Sequence, residues 1–351
     1  MRLLGIETSC DETSVAVLDG DGRVLANLIA SQIERHRPFG GVVPEIASRE
    51  HLDHLMPLVE RALGEAGMTR REIDAVAVTV GPGLIGALLV GVAAAQGLTW
   101  GLGNPLIAVN HLEGHIASPW LTREGAALPM PPRFVSLVVS GGHSSIYEVR
   151  SGTPARVRML NRTRDDAAGE VFDKVAKFVG LPYPGGPHVE RHARDGDAAR
   201  FSFPVARFKE ESLDFSFSGL KAHAIRLARQ EGLAREHEGA EPSPLLADFC
   251  ASLQEAIGDQ ILDRLDRAWD ELARDPDPPA ELGLAGGVAA NGRLRDRVAA
   301  WCASRGLIAR LPEKRYCTDN AAMIAFAALR LRGIEAATDP RRQRAASRMA
   351  V

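Results

Sequence analysis

The sequence predicts an α/β protein of two lobes, and three observations carry that expectation. The order of elements repeats along the chain. Glycine-rich turns fall at matched places in the two halves. A stretch from Ala75 to His111 holds no Asp, Glu, Lys or Arg; broken by Gly81-Pro82-Gly83 and Gly103-Asn104-Pro105, it reads as buried strand, helix and buried strand.

In the first half, strands are expected at 3–7, 15–18 and 24–29, joined by turns at 9–13 and Asp19-Gly20-Asp21-Gly22. A helix follows over 50–66, then a strand at 75–80, a helix over 84–98 and a strand at 106–109. The second half restarts at Phe134, with strands at 134–140, 145–149 and 157–160. Later come a strand at 281–285, the loop Gly286-Gly287, a helix over 291–304, a strand at 307–311 and a closing helix over 320–331. Duplicated βββαβα lobes around a central nucleotide cleft describe an actin/Hsp70/sugar-kinase-like fold. The expected domains are a first lobe at 1–130, a second lobe at 131–319 and a closing segment at 320–351. The second lobe carries a helical insertion over about 160–280, and the closing helix packs back on the first lobe.

Composition narrows the class. With 45% hydrophobic and 25% charged residues in 351, the chain can bury two ordinary cores. Four cysteines form neither a paired framework nor a CxxC, and no secretory h-region opens the chain, so a cytoplasmic setting with no membrane span is expected. Net charge is −3, which does not advertise nucleic-acid binding. Arg341, Arg342, Arg344 and Arg348 cluster in what reads as a solvated basic tail. If the protein handles RNA, its electrostatic footprint is local or comes from a partner.

Three loops point to an anion. The first is Glu7-Thr8-Ser9-Cys10-Asp11-Glu12-Thr13-Ser14 and the second is Val138-Val139-Ser140-Gly141-Gly142-His143-Ser144. Convergent backbone N–H groups and hydroxyls suit phosphate, although Gly-Gly is also a plain hairpin turn. The third, Gly286-Gly287-Val288-Ala289-Ala290-Asn291, opens a helix; Asn291 suits a nucleotide contact and equally a helix N-cap. Asp166, Glu170 and Asp173 share a helical face beside the rigid Pro182–Pro187 turn. Like charges so placed cost stability unless something uses them, and a solvated acidic face competes with a ligand wall.

His111 and His115 stand four apart directly after a buried strand, a spacing that suits metal ligation. Asp319, at the start of the closing helix, supplies a third ligand. Two imidazoles and one carboxylate leave open coordination positions for Fe²⁺ or Zn²⁺ as a Lewis acid. The acid of His111-Leu112-Glu113-Gly114-His115 is not where a metalloprotease places its base.

The runs GIETSCDETS, GGVVPEIASREH, GPGLIGALLVG, NHLEGH, LVVSGGH, DDAAGEVFDKVAK, YPGGP, DFSFSGLK, AGGVAANGRLR and CTDNAAMIA cover almost the whole chain in order. Through them the sequence resembles the bacterial tRNA N6-adenosine threonylcarbamoyltransferases, a family long described as O-sialoglycoprotein endopeptidases. The resemblance implies transfer of threonylcarbamoyl from L-threonylcarbamoyl-adenylate to N6 of adenosine 37 in tRNAs that read codons beginning with A, releasing AMP. It implies iron-type metal ligation by His111, His115 and Asp319. Adenylate contacts follow at Val138, Val139, Ser140, Gly141, Gly142, Asp173, Gly186 and Asn291, a site that also takes ATP or AMP. The implied partners are tRNA, a paralogous actin-like subunit and a small P-loop ATPase. Two departures, Ser144-Ser145 for Thr-Gln and Ala222-His223 where Thr is expected, touch none of these positions.

A mixed-anhydride donor needs no protein nucleophile, only orientation, polarisation and removal of a proton from a weak amine. His143, Asp11 and Glu12 are the proton-transfer candidates. The competing readings are a metal-dependent peptidase, for which Glu113 would serve as base, a non-catalytic nucleotide-binding scaffold, and a sugar-kinase-like phosphotransferase.

Overall fold

The computed structural model describes residues 1–122, 125–206, 212–233 and 243–351. The chain opens with a meander of β1 (Arg2–Glu7), β2 (Glu12–Asp19) and β3 (Val24–Ser31). Then come α1 (Ile33–His36), α2 (Pro44–Glu65), β4 (Ala75–Gly81), α3 (Ile85–Leu102), β5 (Leu106–Asn110) and α4 (His111–Ala117). Expected to start at 50, α2 begins instead at Pro44, whose fixed φ and missing N–H suit a first helical turn. The sheet order is β3-β2-β1-β4-β5; the meander pairs antiparallel, and β4 and β5 join parallel to β1.

The second half repeats this plan. It runs β6 (Arg133–Val139), β7 (Ser144–Arg150) and β8 (Arg156–Arg162), then α5 (Ala168–Phe178), α6 (Gly185–Ala193), α7 (Ser218–Gln230) and α8 (Pro244–Leu272). It ends with β9 (Glu281–Ala285), α9 (Gly292–Ala303), β10 (Ile308–Arg310) and α10 (Ala321–Ala327). The second sheet, β10-β9-β6-β7-β8, has the same order as the first read from the other edge, with β6, β9 and β10 parallel. Two such sheets make the expected actin-like α/β fold, and α5 to α8 fill the region read as an insertion.

Compactness divides the chain into one unit of 1–133, 149–158 and 312–351 and another of 134–148 and 159–311. Residues 312–319, expected in the second lobe, pack with the first unit and bring Asp319 there. The reason lies in α10 beside them: Ala321 N donates to Ser14 Oγ at 2.8 Å, and Tyr316 Oη donates to the Thr122 carbonyl at 3.5 Å.

In the first unit every residue of β4 is buried, as the charge-free stretch requires. Leu4, Ile6, Val15 and Val17 face Leu55, Val59 and Ala62 of α2 and Val92, Ala95 and Leu98 of α3. By length and composition α3 is able to cross a membrane. Here one of its faces is packed through Leu88, Val92 and Ala95. Its other face leaves Ile85, Leu89 and Trp100 exposed.

The opposite face of β1 receives α10. Gly5 makes this possible, because a Cβ there would collide with the Ala321 carbonyl and press on Ala325. Replacing Gly5 with Val is expected to destabilise the fold by about 1–3 kcal/mol through overpacking. Urea unfolding measures this, and an unchanged midpoint would refute the close-contact account.

Candidate metal centre and substrate loops

The cluster assembles at the C-terminal ends of the parallel strands. β5 ends at Asn110, whose side-chain Oδ1 accepts from Leu112 N at 2.8 Å and so starts α4 at once. One helical turn then places His111 and His115 on one face, their ring centroids 4.7 Å apart and nearly perpendicular. Asn320 caps α10 by accepting from Met323 N at 3.0 Å, which holds the preceding Asp319 against the same spot. Asp319 Oδ1 lies 3.2 Å from His115 Nε2 and 3.5 Å from His111 Nε2. One ligand atom from each of the three residues falls within 4.8 Å of the others.

Beneath this cluster sits Glu7, fully buried at the end of β1. Its carboxylate accepts from Thr79 Oγ1 at 2.5 Å and from Ser9 N at 2.5 Å, and it bonds His111 Nδ1 at 3.0 Å. Ser9 Oγ lies 3.1 Å from the same nitrogen. The Nδ1 side of His111 is therefore engaged inward, leaving Nε2 toward Asp319 and His115, the arrangement in which a carboxylate orients a ligating imidazole. Burial pulls the His111 pKa down, but the charges of Asp319 and Glu7 and the bond to Glu7 outweigh it, raising it to about 9. Burial likewise acts to raise the Glu7 carboxyl, and His111 overcomes this to hold it below its ordinary value.

His115 tests whether the cluster fits a metal. It is fully buried, and neither ring nitrogen makes a hydrogen bond. An imidazole buried without hydrogen bonds is costly, and a ligated ion is the partner its chemistry lacks. The His₂–carboxylate donor set fits a divalent first-row metal.

Asp11 and Glu12, from the first loop, stand in the same unit. Asp11 is buried. Burial, then the charges of Asp11 and Asp319, push the Glu12 carboxyl well above the usual carboxylate range. The loop is braced by His51, which bonds the Cys10 carbonyl at 2.9 Å through Nε2 and Thr13 Oγ1 at 2.7 Å through Nδ1. All four cysteines are free.

Glu113 takes no part in the cluster. It closes a capping box on Asn110 N at 3.3 Å and pairs with Arg332 Nε at 2.7 Å.

The second unit gathers the other expected residues. Val138 and Val139 end β6 in the core. In the turn that follows, Ser140 N donates to the His143 carbonyl at 2.7 Å and His143 N donates to Ser140 Oγ at 3.1 Å, leaving Gly141 and Gly142 exposed. The first turn of α5 is tied to this loop, with Gly169 N donating to the Ser140 carbonyl at 3.1 Å and Ala168 N to Ser144 Oγ at 3.0 Å. Gly286, at φ 90°, lies so close under the Val139 carbonyl that a side chain would collide with it. Asp173 accepts from Gly185 N at 2.7 Å, fixing the start of α6 where Gly186 stands. The turns after β6 and β9 and the starts of α5 and α6 thus meet in one neighbourhood, with His143 among them.

Three side chains there do other work than a ligand would ask of them. Asn291 is an N-cap, accepting from Leu294 N at 2.9 Å and donating to Gln254 Oε1 at 2.7 Å. Asp166 and Glu170 are neutralised by Lys174 at 2.8 and 2.6 Å, and Lys221 also pairs with Asp166, so lysines settle their repulsion. Sequence reasoning gave Thr79 and His51 no role and placed Glu7 only as the first residue of the anion loop, an acid closing the apolar run Leu3-Leu4-Gly5-Ile6.

The raised His111 pKa has a sign. A group protonated more tightly in the fold than its ordinary 6.5 contributes stability below that pH and loses it as pH rises through about 9. Chelator-treated protein is therefore expected to unfold at lower urea at pH 9.5 than at pH 6.5, with Glu7→Gln flattening the difference. A midpoint that rises over that range, or an unaltered profile in E7Q, would contradict the Glu7–His111 account.

A family model described as tRNA N6-adenosine threonylcarbamoyltransferase (TsaD) matches residues 23–326. A protein of that name from Syntrophobacter fumaroxidans is 48% identical over 331 residues, 94% of each chain. Another from Anaeromyxobacter sp. is 49% identical over 342 residues, 97% of each. Among solved structures, component A of (R)-2-hydroxyglutaryl-CoA dehydratase from Acidaminococcus fermentans matches with TM-score 0.51 at 13% identity, covering 94% of this chain and 98% of that one, a likeness of fold alone. The chain belongs to the tRNA N6-adenosine threonylcarbamoyltransferases, enzymes that transfer a threonylcarbamoyl group to N6 of an adenosine in tRNA.

Proposed function

We propose that the donor is L-threonylcarbamoyl-adenylate, that the acceptor is adenosine 37 of tRNAs reading codons that begin with A, and that AMP is released. His111, His115 and Asp319 would hold one divalent metal, Fe²⁺ or Zn²⁺. The observation that carries this reading is the buried His115, whose two unbonded ring nitrogens lie beside a carboxylate and a second imidazole. When bound, the metal supplies Lewis-acid polarisation of the donor.

The protein's own groups account for the rest. Glu7 keeps a proton on His111 Nδ1, so that Nε2, once it gives up its own proton, presents a lone pair to the metal. The adenylate is assigned to Val138, Val139, Ser140, Gly141, Gly142, Asp173, Gly186 and Asn291. Gly141 and Gly142 offer unhindered backbone, while Asn291 contributes its place at the start of α9, since its side chain is already bonded. The amine of adenine is a weak nucleophile and must lose a proton. Glu12, whose carboxyl is held above its usual range by burial and neighbouring carboxylates, is the group best suited in the first unit, with Asp11 beside it and His143 the alternative in the second.

The partners are assigned to surfaces of matching chemistry. A paralogous actin-like subunit would cover the apolar face made by Ile85, Leu89 and Trp100 of α3. A small P-loop ATPase and a cytoplasmic setting without membrane complete the reading, in which α3 is a core and interface helix. The peptidase alternative lacks its base, because Glu113 is committed to Arg332 and the start of α4.

Purified protein with preformed adenylate, tRNA and its partners should form threonylcarbamoyl-adenosine and AMP in equal amounts. His111→Ala and His115→Ala should each lower kcat by about 10²-fold or more and lose the bound metal in elemental analysis. Full transfer by H111A would exclude the metal role, and AMP release without tRNA modification would exclude the acceptor.

A further inference from the structure

Residues 338–351 carry Arg341, Arg342, Arg344 and Arg348 against one acid, Asp339. Read from sequence they suggest a solvated tail; the arginines are exposed, as that reading expects, but the backbone that carries them is pinned across the first unit. Thr338 N donates to the Leu106 carbonyl at 2.8 Å. Gln96 Nε2 donates to the carbonyls of Pro340 and Gln343 at 2.5 and 3.0 Å. Ala346 N donates to the Val80 carbonyl at 2.8 Å, and Gly83 N to the Ser347 carbonyl at 3.3 Å. Asn110 Nδ2 then donates to the Ala350 carbonyl at 3.0 Å, on the residue next to His111.

This path runs from α3 over the end of β4 to the end of β5, the strand ends that carry the metal cluster. Fixing a segment of this length costs about 1–2 kcal/mol per residue in backbone entropy. Little core burial offsets that cost, for most of the segment is exposed and Ala345 alone of it packs against the sheet core. What the segment does accomplish is to hold arginines at fixed positions.

The arginines are not equivalent. Arg341 grips Asp339 through Nη2 at 2.8 Å, and Arg342 Nε lies 3.8 Å from the same carboxylate. Arg344 and Arg348 are exposed and have no ion-pair partner among the described residues. They flank the Ala346–Ser347 anchor, and Arg348 stands two residues before the Asn110 contact.

We propose that this strap binds the tRNA backbone, with Arg344 and Arg348 each holding a phosphate beside the metal cluster. The proposal rests on the reading of tRNA as acceptor, and it locates a local positive footprint in a chain of net charge −3. Guanidinium groups suit this role because their planar fork matches phosphate oxygens, and a pinned backbone loses less freedom on binding than a mobile one. Anchoring at Val80, Gly83 and Asn110 ties the register of the bound backbone to the strand ends where chemistry is expected.

Binding of unmodified tRNA to the full chain, measured by fluorescence anisotropy from 50 to 200 mM salt, tests this. The R344Q/R348Q variant should bind about tenfold more weakly at the lower salt and lose about 1–2 from the slope of log K against log salt. In transfer assays its KM for tRNA should rise while kcat is kept. R61Q, an exposed arginine of α2, should change neither quantity. An unchanged slope and KM in the double variant overturns the proposal, as does an equal effect from R61Q, which would mean that net charge alone acts. A fall in kcat with KM kept also overturns it, showing that the strap shapes the centre instead. If the wild-type chain with its partners neither binds nor modifies tRNA, the acceptor reading itself falls; intact transfer with an unaltered double variant removes only the strap.

Discussion

Glu7 is a carboxylate with no access to water, and the first unit is arranged around keeping it satisfied. A buried charge without partners would cost several kcal/mol. Thr79 supplies a hydroxyl from the neighbouring strand β4, Ser9 a backbone N–H from the following turn, and His111 an imidazole from the start of α4. Each partner belongs to a different segment, so the one carboxylate fixes the relative positions of β1, β4, the first loop and α4. The ring of His111 is thereby set in plane before any ion or substrate arrives.

This constraint explains why the centre lies at strand ends rather than on long loops. Parallel strands β4 and β5 deliver Thr79 and His111 at neighbouring heights beside Glu7. Asp319 must then come from elsewhere, and α10 supplies it by lying against β1 over Gly5 and bonding Ser14 through Ala321 N. Two capping asparagines do the fine positioning: Asn110 starts the helix that carries the histidines, and Asn320 starts the helix that follows the aspartate. Asn110 also reaches the closing segment through its other group, so one side chain links the ligand helix and the arginine strap.

Much of this was legible in the residues. Alternating strand and turn signals placed all ten strands within a few residues, and the i, i+4 histidines declared a shared face because helical geometry makes that spacing adjacent. What stayed hidden depends on long-range pairing. Glu7 looks like the end of an apolar strand until His111, 104 positions away, is folded against it. The acids at 166 and 170 looked like a demand for a ligand because Lys221 is remote in sequence, whereas the fold brings it to Asp166. The pinning of the closing segment stayed hidden for a related reason: the segment is held through its own backbone groups, which carry no side-chain pattern. Asn291 was open between cap and ligand, and its hydrogen bonds place it as the cap.

The division of acids bears on which chemistry the first unit can perform. Glu113, the acid nearest the histidines in sequence, is removed from the cluster by a helix cap and by Arg332, which the π turn over Ala328–Arg332 brings to it. Its carboxylate is engaged by the Arg332 guanidinium and by the Asn110 N–H. Glu12 has the opposite setting, because burial and two neighbouring carboxylates disfavour its charge. A buried carboxyl so placed holds a proton more readily than a free one, and a proton must leave the exocyclic amine during acyl transfer. The two acids differ through their partners rather than their type: Glu113 is held by a helix cap and a guanidinium, and Glu12 lies buried beside other carboxylates.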